Sequence, residues 1–218
     1  MARPKKKVEG ERAAAILDAA DALLAEVGYE GISARAVAER AGVNKALVFY
    51  YYGSVENLFE RVLERYYTAH GELLARALEG FRRAPDDVPL AERLHGLIDV
   101  YLDFIEHNRL YARLVQQQVS GGGMHLHLVE RHLRAFYDWT SSLLAEMAPA
   151  TGRASARQLY LTFSAAVINY FTYAPLLGDD VWEGDALSAA ALAERRAHVH
   201  WLVDTLLAAL AAEKPDAR

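Results

Sequence analysis

Residues 33–53 read SARAVAERAGVNKALVFYYYG, and this stretch decides the fold. Ser33 is a good N-cap, because its hydroxyl can accept from the free amides of a helix's first turn. Val37 and Ala38 are the apolar positions of a short helix that stops at Ala41-Gly42-Val43. Asn44 can cap the next short helix, Lys45 to about Tyr51, and Gly53 ends it. A helix-turn-helix needs a small residue before its turn, a glycine for positive φ and a buried aliphatic just after, and Ala41-Gly42-Val43 supplies the three in order.

Outward from this core the chain reads as helix after helix. On the N-terminal side, a helix is expected from about Glu9 to Val27. Ile16, Ala19, Ala20, Leu23, Leu24 and Val27 share one face, and Gly28 is the stop. Tyr29 and Ile32 then point back to the same core. On the C-terminal side, Ser54 can cap a long fourth helix running to about Phe81. After the break at Pro85-Asp86-Asp87-Val88-Pro89, helices are expected at Leu90–His107, Leu110–Ser120, Met124–Met147, Ala154–Ala174 and Ser188–Glu213. The breaks between them are Gly121-Gly122-Gly123, Pro149 with Gly152, and Pro175 through Gly184. No period-two alternation persists, so strands are not expected. The fold expected is all-α with about nine helices: a three-helix helix-turn-helix domain over 1–53, then a helical bundle over 54–218. A continuous fourth helix would act as a lever between the two.

Composition narrows the function. With no cysteine among 218 residues, a thiol nucleophile, a disulfide scaffold and a cysteine zinc site are excluded. No apolar run is long enough for a bilayer span and no signal pattern is present, so a soluble cytoplasmic protein is expected. The net charge of −5 lies wholly beyond residue 65, because acids and bases balance before it. Arg3, Lys5, Lys6 and Lys7 form a basic arm, suited to phosphates if ordered and otherwise a solvated terminus. No nucleotide loop or catalytic triad spacing is present, so no enzyme, catalytic residue or cofactor is expected. His125 and His127 stand two apart, as do His198 and His200, and His127 and His132 five apart. None of these spacings puts both rings of a pair on one helical face, so no metal is expected.

The stretch Ile16 to Leu58, ILDAADALLAEVGYEGISARAVAERAGVNKALVFYYYGSVENL, resembles the DNA-binding domain of TetR-family transcriptional regulators. The likeness rests on Ala19-Ala20, Leu23, Gly28-Tyr29, Ser33, Val37-Ala38, Ala41-Gly42-Val43, Lys45, Phe49, Tyr51, Tyr52, Ser54, Glu56 and Leu58, without a gap. It departs from the family pattern at Asn44, Ala46, Leu47, Gly53 and Val55, losing two phosphate-binding cations and placing more weight on Lys5, Lys6 and Lys7. The resemblance implies a homodimer on a palindromic operator in double-stranded DNA, with repression relieved by a small-molecule effector. A regulator that answers to a protein partner, or to no ligand, is the alternative.

On this pattern Arg35 meets either guanine O6 and N7 or a phosphate, and Lys45 a base or a phosphate. Ala46 and Leu47 offer apolar surface to base edges, and Leu47 suits a thymine methyl, since Val48 takes the core position. Phe49 can offer packing or a methyl contact, and Tyr51 a phosphate hydrogen bond. Ser33 caps its helix beside amides that can hold a phosphate. Tyr50 and Tyr52 are expected to pack. In the second domain Tyr66, Tyr101, Tyr111, Gln117, His132, Phe136, Trp139, Phe163, Asn169, Tyr170 and Tyr173 could line a mixed effector cavity, or belong to the core or a dimer contact. The last two helices, with Ser164-Ala165-Ala166 and the series Val199, Leu202, Val203, Leu206, Leu207 and Leu210, are by resemblance a four-helix dimer interface; an intramolecular core is the alternative.

Overall fold

Local signals in the sequence account for most helix ends in the structure, a computed structural model that describes residues 5–28, 31–120, 126–145 and 147–213. Arg3, Tyr29, Gly121-Gly122-Gly123, Met124 and His125 lie outside the described residues, as do the side chains of Lys5, Lys6 and Lys7. The described residues hold ten α-helices and no strand. They are α1 (Lys5–Val27), α2 (Ala34–Ala41), α3 (Lys45–Tyr52), α4 (Val55–Arg83), α5 (Leu90–His107), α6 (Arg109–Ser120), α7 (Leu126–Leu144), α8 (Ala156–Tyr173), α9 (Asp179–Trp182) and α10 (Ala189–Glu213), with a 3-10 turn at Ala174–Leu176.

Two differences from expectation have physical causes. The described part of α1 begins at Lys5, so the backbone of Lys5, Lys6 and Lys7 is helical where the helix was expected only from about Glu9. Lysine is a good helix former, and no proline stands between Lys5 and the apolar face, so the helix runs through Gly10. The helix beyond the expected nine is α9, inside the segment read as a break. Gly178 precedes it, and Asp179 and Asp180 put negative charge at its N-terminus, where the helix dipole favours it.

The chain forms two compact units, residues 1–68 and 69–218, and the division falls within α4. In the first unit Ile16, Leu24, Val37, Val48, Leu58 and Phe59 are at most 1% exposed. Each such burial is worth about 1.5–3 kcal/mol. Tyr52 donates to the Ala13 carbonyl at 2.7 Å, fastening α3 to α1. Arg65 bridges Asp18 and Asp21, and Tyr66 donates to Asp21 Oδ1 at 2.6 Å, fastening α4 to α1.

In the second unit α5 packs on α10 and α8, while α6 and α7 pack on each other and on α8. Ile105, Ala112, Val129, Val167 and Val199 are buried at these contacts. Arg196 of α10 binds Asp99 and Asp103 of α5, and His200 meets Asp99 at 2.7 Å. Tyr170 donates to the Ala186 carbonyl at 2.9 Å and holds the connection before α10.

Gly42 sits at φ +65° with open space around its missing Cβ. Gly42→Ala should therefore cost about 1–2 kcal/mol through left-handed strain alone. Gly10→Ala, in an exposed stretch of α1, should gain about 0.8–1 kcal/mol. Urea midpoints followed by circular dichroism should move in opposite directions for the two variants.

Candidate DNA interface and effector cavity

Capping sets the geometry of the helix pair. Ser33 Oγ accepts from the Ala36 amide at 3.2 Å, and Asn44 Oδ1 from the Ala46 amide at 2.9 Å. Between them the Gly42 and Val43 amides bond back to the end of α2. Val48 is fully buried and turns α3 so that Lys45, Ala46, Phe49 and Tyr50 are exposed together. Leu47 and Tyr51 are half-buried. Lys45 Nζ lies 5.7 Å from the centre of the Phe49 ring, a cation–π contact that gives this face a charged end and an apolar end. Arg35 is exposed on α2 and held by Glu39 at 2.8 Å. An exposed pair this weak can be exchanged for a phosphate or a base.

Tyr50 is a correction. Expected to pack, it is 72% exposed and meets Tyr51 edge-on at 5.0 Å. The signal was present: at the helical repeat Tyr50 lies roughly 200° around α3 from Val48, whereas Tyr52 lies about 40° from it.

The second unit holds a cavity of about 140 Å³. Of the residues singled out in the sequence, Tyr101, Phe136, Trp139 and Phe163 lie on its wall. Most of the wall is aliphatic: Leu94, Leu97 and Ile98 from α5, and Val203, Leu206, Leu207 and Leu210 from α10. Within the chain, therefore, much of the α10 series that resemblance gave to a dimer contact is core or cavity wall. These aliphatics carry no mark in the sequence that separates cavity from core.

The remaining candidates sit elsewhere. Tyr66 belongs to the first unit through Asp21, and burial with that hydrogen bond pushes its phenol well above the usual range. Asn169 accepts from Gln116 at 2.6 Å, Tyr170 is bonded to Ala186, and Gln117 and Tyr173 are exposed. Tyr111 and His132 join His70, which was not anticipated. His70 Nδ1 lies 3.0 Å from His132 Nε2, and the Tyr111 hydroxyl 2.8 Å from the same nitrogen. The His70 ring stacks on Phe104 at 4.6 Å and Tyr101 at 5.3 Å, and Phe136 lies 5.2 Å away. Burial holds His70 down to about 3, with His132 as a second cause, and burial alone holds His132 to about 4. Both are neutral at pH 7. Among the described residues no group of three or more histidines and acids is placed to hold a metal.

Residues 16–62 match the family model for bacterial regulatory proteins of the tetR family. The transcriptional activator FasR of Mycolicibacterium smegmatis is 29% identical over 105 residues, covering 48% of this chain but only 45% of FasR. The transcriptional regulator RutR of Escherichia coli is 28% identical over 166 residues, 74% of each chain. The solved structure of the fatty acid degradation regulator FadR of Bacillus halodurans superposes with a TM-score of 0.62 at 17% identity, over 93% of this chain and 96% of that one. That last likeness concerns the fold.

The buried histidine pair predicts acid lability. Their folded pKa values lie below the unfolded value near 6.5, so the stability they allow is complete above about pH 6.5 and is lost as pH falls towards 4 and 3. Each histidine contributes a limiting slope of about 1.4 kcal/mol per pH unit in that window. His70→Leu should melt lower at pH 7.5 yet lose less on acidification to pH 5, as followed by calorimetry.

Proposed function

We propose that this chain, whose residues 16–62 match the tetR family of bacterial regulatory proteins, is a TetR-family repressor that binds a palindromic operator as a homodimer and is released by a small, largely apolar ligand. In this reading residues 1–53 contact DNA and residues 54–218 dimerise and hold the effector. α3 enters the major groove with Lys45, Ala46, Leu47 and Phe49 towards base edges. Tyr50, exposed beside them, joins that set. Arg35, Ser33, Asn44 and Tyr51 fix the helix pair against base or backbone, and Lys5, Lys6 and Lys7 add phosphate contacts. The reading also makes the protein cytoplasmic, where its operator is. No helix among the described residues is long and apolar enough to cross a membrane.

The observation that carries the ligand half is the apolar cavity of the second unit. Folded cores are close-packed, and a void on this scale sacrifices contacts in its walls. Such a void is expected where a ligand restores them. The homodimer is supported by what α8 and α10 leave uncovered: Leu161 is 60% exposed and Trp201 58%. Ala165 on α8 and Ala197 and Ala208 on α10 are exposed beside these two and would let helices approach closely.

Selection from fragmented genomic DNA with the purified protein should recover one or a few palindromes. Failure to enrich any sequence, with and without hydrophobic compounds, would sink the operator. On a recovered site Arg35→Ala should cost about 1–3 kcal/mol if the arginine reads a base. If it meets phosphate, the loss should be similar on every sequence and the salt slope should shrink by about one. Trp201→Glu should convert a dimer to a monomer in sedimentation.

A further inference from the structure

The walls of the cavity specify more than apolarity. Among the described residues the wall holds no Asp, Glu, Lys, Arg or His. An ion drawn into it would lose its hydration without gaining a counter-charge, a cost no apolar contact offsets. The polar groups on the wall are few, and most are already engaged. Thr140 donates to the Phe136 carbonyl at 2.9 Å. The hydroxyls of Tyr160 and Ser164 are hydrogen-bonded to each other. Tyr101 is the wall residue with a buried orphan: it is 8% exposed, and its hydroxyl has no hydrogen-bond partner among the described residues.

An orphan hydroxyl in a core is a standing loss, because phenylalanine would fill the same space without it. Tyr101 stands on the cavity wall, so a bound molecule is what can supply the missing partner. We propose that the effector is an uncharged lipophile bearing a single acceptor oxygen, such as a ketone or ester, which takes the hydrogen bond of the Tyr101 hydroxyl while its hydrocarbon fills the cavity. Cationic compounds and free carboxylates are excluded by the same walls. This deepens the effector reading above and rests on it.

The test uses four probes of equal chain length against the whole 218-residue chain, matched to a cavity of about 140 Å³: 2-hexanone, hexane, hexanoate and hexyltrimethylammonium, each below its aggregation limit. Binding is read by melting temperature and by tryptophan fluorescence, since Trp139 lies on the wall. The ketone should bind tightest, the alkane more weakly and the two ions least. Tyr101→Phe should raise the melting temperature of the free protein. It should also weaken the ketone by roughly 3- to 10-fold, the worth of one hydrogen bond, and leave the alkane unchanged. Either ion binding as well as the ketone overturns this inference and leaves the effector site standing. So does a Tyr101→Phe protein that keeps full ketone affinity. If none of the four binds, the effector reading falls, and this inference with it.

Discussion

The imidazole of His70 is fully buried at the point where α4 meets three other helices of the second unit. Phe104 and Tyr101 of α5 stack on it, Tyr111 of α6 and His132 of α7 reach its Nδ1, and Phe136 of α7 closes the remaining side. A leucine there could fill the space but would take away one hydrogen-bond partner of His132 Nε2 and the imidazole on which Phe104 and Tyr101 stack. The proton count is tight. The His70 Nε2 is buried without a partner, so placing the proton on Nδ1 leaves only an idle acceptor behind, the cheaper of the two tautomers. His132 Nε2 then accepts from both His70 and Tyr111. Protonating His132 at Nε2 sets donor against donor, and a proton on His70 Nε2 would be a buried cationic donor with no acceptor, which is why the cluster requires neutral histidines.

The cavity depends on the same cluster. Tyr101 and Phe136 present one face to His70 and lie on the cavity wall. They cannot fold inward to fill the void without leaving the imidazole uncovered. Rings pinned by stacking keep the void open. On the far wall, α10 is held to α5 by Arg196 and His200 acting on Asp99, ties that lie outside the cavity and leave its interior free of charge.

How much of this was legible in the sequence follows from the range of each interaction. Ser33, Gly42 and Asn44 act on backbone within three residues of themselves, so their roles could be read directly and the structure places them accordingly. The ends of α5 were equally plain, bounded by Pro89 and Asn108. Tyr50 was legible in principle from its angle to Val48 and was misread because aromatics were taken to pack. The His70–His132 pair spans 62 residues of sequence, and no local pattern couples two such positions. Tyr66 and His70 stand one helical turn apart on α4, yet the first bonds to α1 and the second to α7, a divergence that only tertiary contacts create. Searching for polar and aromatic groups found the ringed part of the cavity wall. Leucines of α5, α7 and α10 complete it, and a leucine facing a void has the same sequence signature as one facing a neighbour.

The two units also differ in what their imperfections imply. In the first, the half-buried phenol of Tyr66 and the guanidinium of Arg65 are matched to Asp18 and Asp21, and α2 and α3 are capped. That economy suits a rigid module presenting a fixed helix face, since any slack would blur the register with which α3 addresses base edges. In the second, a void, an unpaired Tyr101 hydroxyl and an idle His70 nitrogen lie close together. Each lowers stability, and a sequence selected for stability alone would lose them through substitutions as small as Tyr101→Phe. That a void, an unpaired hydroxyl and an idle nitrogen meet around one pair of rings is the physical signature of a site kept incomplete for something else to fill.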